Sequence, residues 1–277
     1  MNSLGLLLVV LLQASPHPWP HTAAEVLGDA IPPPTGFHRL PEEADSFGRW
    51  LRSLPLKPAG TLVRLFNGKE KGNQAAHARV LDMDVGKKDH QQCADAVMRL
   101  RAEYLFSQGH GEAICFRATN GAPLPWSEWK AGSRPKVTGR KIDWKKSATA
   151  EGSWANFRQY LDFVFVYAGT YSLAKELQPV APADPLRAGD VFIQGGFPGH
   201  AVIVVDVAEN DRQERAFLLV QSYMPAQDLH VLVGVKNKDP WYRFPVGDAL
   251  ETPEWTFFPA RRMRFSDAGG CPQTSRR

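Results

Sequence analysis

At 277 residues, 43% apolar and 22% charged, the chain has the makeup of a globular protein able to bury a sizeable core, which excludes the disordered and low-complexity classes. A net charge of +4 suits an anionic partner without requiring one. The three cysteines form no CxxC, no HExxH is present, and no His/Cys cluster stands at metal-ligand spacing, so no structural zinc and no cofactor are expected.

In chain order, residues 4–12, LGLLLVVLL, come first. The run is shorter than the roughly 20 residues that span a bilayer, and it reads as the core of an export signal over residues 1–15, processed near Gln13-Ala14-Ser15-Pro16. No positive charge precedes it, and a buried N-terminal element is the alternative. Residues 16–40 read as a Pro-rich linker. Phe47, Trp50, Leu51 and Leu54 follow the helical period and Pro55 stops them, which predicts a short amphipathic helix. Strands are expected at 61–66 and 78–85. The next helix is expected from Asp89, as cap, to Gln108, with Gln92 as capping-box partner and Val97, Leu100 and Tyr104 on one face. Residues 121–152 read as a solvated connector. Its Lys130, Arg134, Lys136, Arg140, Lys141, Lys145 and Lys146, interleaved with Trp129 and Trp144, also have the texture of a polymer-facing surface. Ser153 caps a further helix, with Trp154, Phe157, Leu161, Val164 and Phe165 inward and Gly169 at its end. Strands at 191–194, 201–207, 216–222 and 228–233, joined by short turns, predict an antiparallel meander. Helices first and a meander afterwards give a single α+β domain over 41–265, with a disordered tail over 266–277.

Two residues stand out within this pattern. His200 heads the apolar run Ala201-Val202-Ile203-Val204-Val205, directly after the turn Gly195-Gly196-Phe197-Pro198-Gly199. Cys93 falls in the first turn of its helix, where unpaired amides and the macrodipole favour a thiolate. It is also in helical register with Val97, Leu100 and Tyr104, where a cysteine acts as a small hydrophobe, and both readings stand. Cys115 reads as a strand cysteine and Cys271 as part of the tail; an odd count leaves at least one thiol unpaired. Asp82, Asp84 and Asp89 lack the remaining ligands of a calcium loop and read as strand-end and cap residues. Asp206 lies too far along the strand to partner His200 and reads as a strand-end or turn acid.

The stretches LDMDVGKKDHQQCADAVMRLRAEYL, YLDFVFVYAGTYSLAKEL, GDVFIQGGFPGHAVIVVDVA and QSYMPAQDLHVL resemble an uncharacterised bacterial family of exported proteins, a domain of unknown function. More remotely, GDVFI…GHAVIVVDV is similar to the His-bearing hairpin of NlpC-type, papain-like cysteine hydrolases. Around Cys93 the Asp-Cys-Ser/Thr-Gly texture of that group is replaced by Gln-Gln-Cys-Ala-Asp. The resemblance implies a papain-like core at about 86–235, with the meander packed on a nucleophile-bearing helix. It further implies Cys93 as nucleophile, His200 as proton carrier, Gln221 as the orienting residue, and Gln92 at the oxyanion. The function so expected is an exported cysteine hydrolase acting on an amide bond, with cell-wall peptides as the substrate class. No nucleic-acid partner and no membrane span after processing are expected. The alternative is a non-catalytic envelope binding or scaffold protein on the same fold.

Overall fold

The apolar run after His200 forms the middle of a nine-stranded sheet in the computed structural model, which describes residues 16–270 apart from Ala268. Its strands are β1 (Phe37–Arg39), β2 (His77–Val80), β3 (Gln178–Pro179), β4 (Val191–Gln194), β5 (His200–Asn210), β6 (Arg215–Gln221), β7 (His230–Leu232), β8 (Trp241–Phe244) and β9 (Arg262–Arg264). The order is β2-β7-β6-β5-β4-β9-β3, with β1 also on β5 and β8 also on β6. Every pairing is antiparallel. The expected meander is β4 to β7. Beyond the sheet lie short two-stranded pieces and the helices α1 (Phe47–Arg52), α2 (Cys93–Ser107), α3 (Trp154–Tyr167) and α4 (Thr170–Glu176). The fold is therefore mixed α and β with mostly antiparallel sheet.

β5 lacks polar alternation because both faces of the sheet are covered. Ala201, Ile203 and Val205 join one core with Val97 and Leu100 of α2 and Leu161 of α3. Val202 and Val204 join a second with Phe192, Phe217, Leu219 and Phe257. Burying each such side chain contributes roughly 1.5–3 kcal/mol, enough to fix the register. α2 thus packs on the meander through Val97 and Leu100, whereas Tyr104 turns to α1, its ring 5.0 Å from Phe47 and its hydroxyl donating to Asp45 O at 2.6 Å.

Several segments differ from their sequence reading. Residues 16–40 are built into the fold: Trp19, Leu27 and Ile31 are buried and β1 pairs with β5. Residues 61–66 contribute isolated bridges, Arg64 to Glu70 and Leu65 to Gln227, in place of a strand. The connector 121–152 is structured, with a short helix over Trp126–Lys130 and a hairpin of Ser133–Thr138 on Lys141–Lys146. α3 ends at Tyr167, and Gly169 is the N-cap of α4. The described part of the tail packs back, with Gly270 N–H donating to Ala113 O at 2.7 Å. The expected signal at 1–15 and Cys271 lie outside the described residues.

Asp206 is neither a strand end nor a turn acid. It is fully buried within β5, beside a register shift between Val204 and Asp206, and accepts Arg39 Nε at 2.7 Å and Arg52 Nε at 2.8 Å. This carboxylate ties β1 and α1 to the central strand. The acids of the supposed calcium loop also have protein partners: Asp82 accepts Thr22 N–H at 2.9 Å, Asp84 pairs with Arg99 at 3.0 Å, and Asp89 accepts Ala226 N–H at 2.6 Å.

Candidate functional site

Helix α2 begins three residues later than its sequence suggests. Gln92 is extended (φ −95°, ψ −158°), so it caps the helix, and its N–H donates to Asp95 Oδ2 at 3.0 Å. Cys93 is consequently the first helical residue. The approach to it is pinned from three sides. Arg99, fully buried, donates to Asp84 O and Gln91 Oε1. Ser222 Oγ donates to Gln91 O at 3.0 Å. Asp89 Oδ1 accepts Ala226 N–H and also Gln92 Nε2, the latter at 3.0 Å. The head of α2 is thereby fastened to the loop that follows Gln221.

Opposite it, the turn between β4 and β5 delivers His200. Gly199 needs to be glycine: a Cβ there would collide with Thr170 Oγ1 and come within 2.6 Å of Gln194 O. Cys93 Sγ–H donates to Gly199 O at 4.0 Å. The sulfur therefore touches the backbone at the mouth of β5, not the imidazole. The reason is the pleat: α2 covers the Ala201 face, whereas the alternate His200 points to the face of Val202 and Phe257. There its ring lies 4.9 Å from Tyr223, 5.4 Å from Trp255 and 5.7 Å from Phe257.

His200 and Gln221 do meet: Nε2 and Oε1 are 2.9 Å apart. The surrounding bonds fix both orientations. Gln221 Nε2 lies 2.8 Å from Glu254 Oε2, a pure acceptor, so it is the NH₂ end of the amide. Its Oε1 must then accept a proton from His200 Nε2, which leaves Nδ1 as the basic nitrogen of the neutral ring. Behind this pair, His230 Nδ1–H donates to Asp228 O at 2.8 Å, so its Nε2 accepts from Gln221 Nε2 and Lys71 Nζ, each at 3.3 Å. Lys71 closes the cluster with a 2.5 Å ion pair to Glu254.

Burial governs the charges. It pushes the Cys93 thiol up to about 11, aided by the Asp95 carboxylate and opposed by the amides of Ala94 and Ala201. Burial also holds Asp95 well above the usual carboxylate range, so Asp95 itself tends toward neutrality and desolvation is the cause that dominates at Cys93. Burial lowers His200 to about 4, opposed by the bond to Gln221 and aided by Lys71. His230 is driven well below its ordinary value for the same first reason. The expected helix-head thiolate is thus not the resting form: Cys93 is a thiol and His200 a neutral imidazole. Cys93 is the free cysteine among the described residues, while Cys115 is disulfide-bonded.

A family model described as Domain of unknown function (4846) matches residues 27–264, which takes in every strand of the sheet and the whole site. The chain belongs to that family. No curated protein and no solved structure matches it. Within this family domain, Lys71, His230 and Glu254 are site residues that the sequence reading did not find. A signal existed for His230, which heads the strand after Gln221 and pairs with it directly. Glu254 and Lys71 carry none, since each sits in an irregular segment distant in sequence. Large apolar side chains are exposed on the turns around His200: Phe197, Met224 and Phe258, with Tyr171 6.1 Å from Phe197.

Proposed function

We propose that this is an exported cysteine hydrolase of papain-like type acting on an amide bond, with cell-wall peptides as its substrate class. The observation that carries it is the His200–Gln221 hydrogen bond at 2.9 Å, set beside a helix-head thiol that touches the residue before His200. Gln221 holds the proton on Nε2 and leaves Nδ1 to act as base. In the reaction, Cys93 Sγ adds to the amide carbon and its proton passes to His200 Nδ1. The imidazolium then protonates the departing nitrogen as the C–N bond breaks. Water attacks the thioester, His200 takes its proton, and Sγ recovers one. The free amides at the first turn of α2 face the developing oxyanion. Gln92 contributes there through its side chain only, because its N–H is spent on Asp95. Thiol and imidazole both rest neutral, so the reactive pair forms only when Nδ1 takes the thiol proton as the substrate carbonyl is attacked. The apolar rim of Phe197, Met224 and Phe258 is where a peptide would lie. The disulfide at Cys115 suits an oxidising compartment and so supports export.

A second reading, a non-catalytic envelope protein, is favoured by one observation: the thiol is 5% exposed and pushed to about 11, as in a packed core. An acyl-transferring electrophile offered to the native protein separates the two. The hydrolase reading expects a covalent adduct on Cys93 that disappears in Cys93→Ala and slows at least a hundredfold in His200→Ala. Equally slow modification of wild type and His200→Ala leaves the second reading.

A further inference from the structure

The hairpin Ser133–Thr138/Lys141–Lys146 takes no part in the site, yet it concentrates the charge of the chain. Residues 130–146 hold seven cations and one anion, Asp143, a net +6 in a chain of net +4, so all the rest is net −2. The pleat sorts these residues. Pro135, Val137, Ile142 and Trp144 share one face, where Ile142 and Trp144 pack on the main core and Trp144 lies 6.2 Å from Phe163. The opposite face carries Arg134 and the exposed Lys136, Lys141 and Lys145 against one carboxylate, Asp143, the cross-strand partner of Lys136, with Arg140 at the turn and Lys130 exposed at the base.

Two details set this face apart from a merely solvated ribbon. Arg134 and Lys145 are direct cross-strand partners, a like-charge pairing that destabilises a hairpin. Arg134 is fixed there, its guanidinium 4.4 Å over Trp129 and bonded to Trp129 O at 2.8 Å and Asn156 Oδ1 at 3.1 Å. The cationic face is thus held in place at a cost to the hairpin. Both tryptophans of the segment are also turned inward, so the outward face has no ring on which a base or sugar could stack.

We infer that this face docks the protein on a bilayer surface rich in anionic phosphate headgroups. A ribbon of six-residue strands, roughly 20 Å long, presents a plane of charge to a plane of charge and has no groove to enclose a polymer strand. Among the described residues no helix is long and apolar enough to cross a membrane, so the association is peripheral and salt-sensitive. The inference is independent of the hydrolase reading.

The test is co-sedimentation of the full chain with vesicles of phosphatidylglycerol and phosphatidylcholine, against phosphatidylcholine alone. Binding is expected to the anionic vesicles only and is lost at about 0.5 M salt. Each lysine near such a surface is worth roughly a fivefold change in partition. Lys136→Gln/Lys141→Gln/Lys145→Gln should therefore weaken binding by about a hundredfold with a melting temperature no lower than that of wild type. The control Lys87→Gln/Lys88→Gln/Lys236→Gln, at exposed sites elsewhere, should bind as wild type. Wild type that stays in solution with anionic vesicles at low salt overturns the inference. So do equal losses in the two triple variants, and so does retention by polyphosphate without retention by vesicles, which would assign the face to a soluble polyanion.

Discussion

Replacing Gln221 with leucine keeps the volume and removes the amide that the buried cluster is built around. Three bonds go: His200 Nε2–H to Oε1, and Nε2 to Glu254 and to His230. The consequences are unequal, because Lys71 still donates to both Glu254 Oε2 and His230 Nε2. One group is orphaned, the Nε2–H of a ring 1% exposed. An unsatisfied buried donor costs about 1–3 kcal/mol. Taking about 2 kcal/mol, and about 2–4 °C per kcal/mol for a domain of this size, the melting temperature should fall by about 4–8 °C. That is well inside the stability of a typical domain, so Gln221→Leu still folds. The assay is thermal unfolding at pH 7.5 alongside modification of Cys93 by the acyl electrophile. The hydrolase reading adds a further expectation, that modification slows because the ring is no longer held in the Nε2–H tautomer. A melting temperature within 1 °C of wild type would mean that the amide does not satisfy His200, and the orientation assigned to the cluster would fail.

Asp206→Asn should destabilise the protein by about 3 kcal/mol, read from urea unfolding, because two guanidiniums, 21% and 12% exposed, lose their shared counter-charge. His17 and His200, each held near 4 by burial, are neutral in the fold and charge more readily when unfolded. Their contribution is complete above about pH 6.5 and is lost as pH falls toward 4, about 3 kcal/mol each. His200→Gln should flatten the pH dependence of stability in that window. Alkylation of Cys93 by iodoacetamide in native protein should be slow at pH 7 and rise about tenfold per pH unit toward 11. A plateau near pH 8.5 would show that the sulfur is not buried as described. Mass spectrometry of the protein from its native host should place the mature N-terminus at Ser15 or Pro16. Such processing spares the fold, since Pro16 O already accepts Trp50 Nε1 at 3.2 Å; recovery of intact Met1 would overturn export.

What the sequence determined by itself is local and periodic. The unalternating run after His200 required a strand covered on both faces, and short turns between apolar runs made β4 to β7 neighbours, because short connections leave no other pairing. Ser153 does cap α3, accepting Asn156 N–H at 3.2 Å. Antiparallel logic also brought the end of the Gln221 strand beside the start of the His200 strand, where the packed register turns Gln221, and not Ser222, to the ring. What tertiary structure decided is whatever depends on partners far along the chain. Asp89 and Asp95 offer the same local capping chemistry to α2. The choice of Gln92 as cap, and so Cys93 as first residue, goes with Asp89 being engaged by Ala226, 137 residues away. Asp206 looked like a strand-end acid until Arg39 and Arg52, over 150 residues distant, came to it. The state of Cys93 was not legible either. A helix terminus lowers a thiol's pKa and burial raises it, and only the packed fold shows that burial wins.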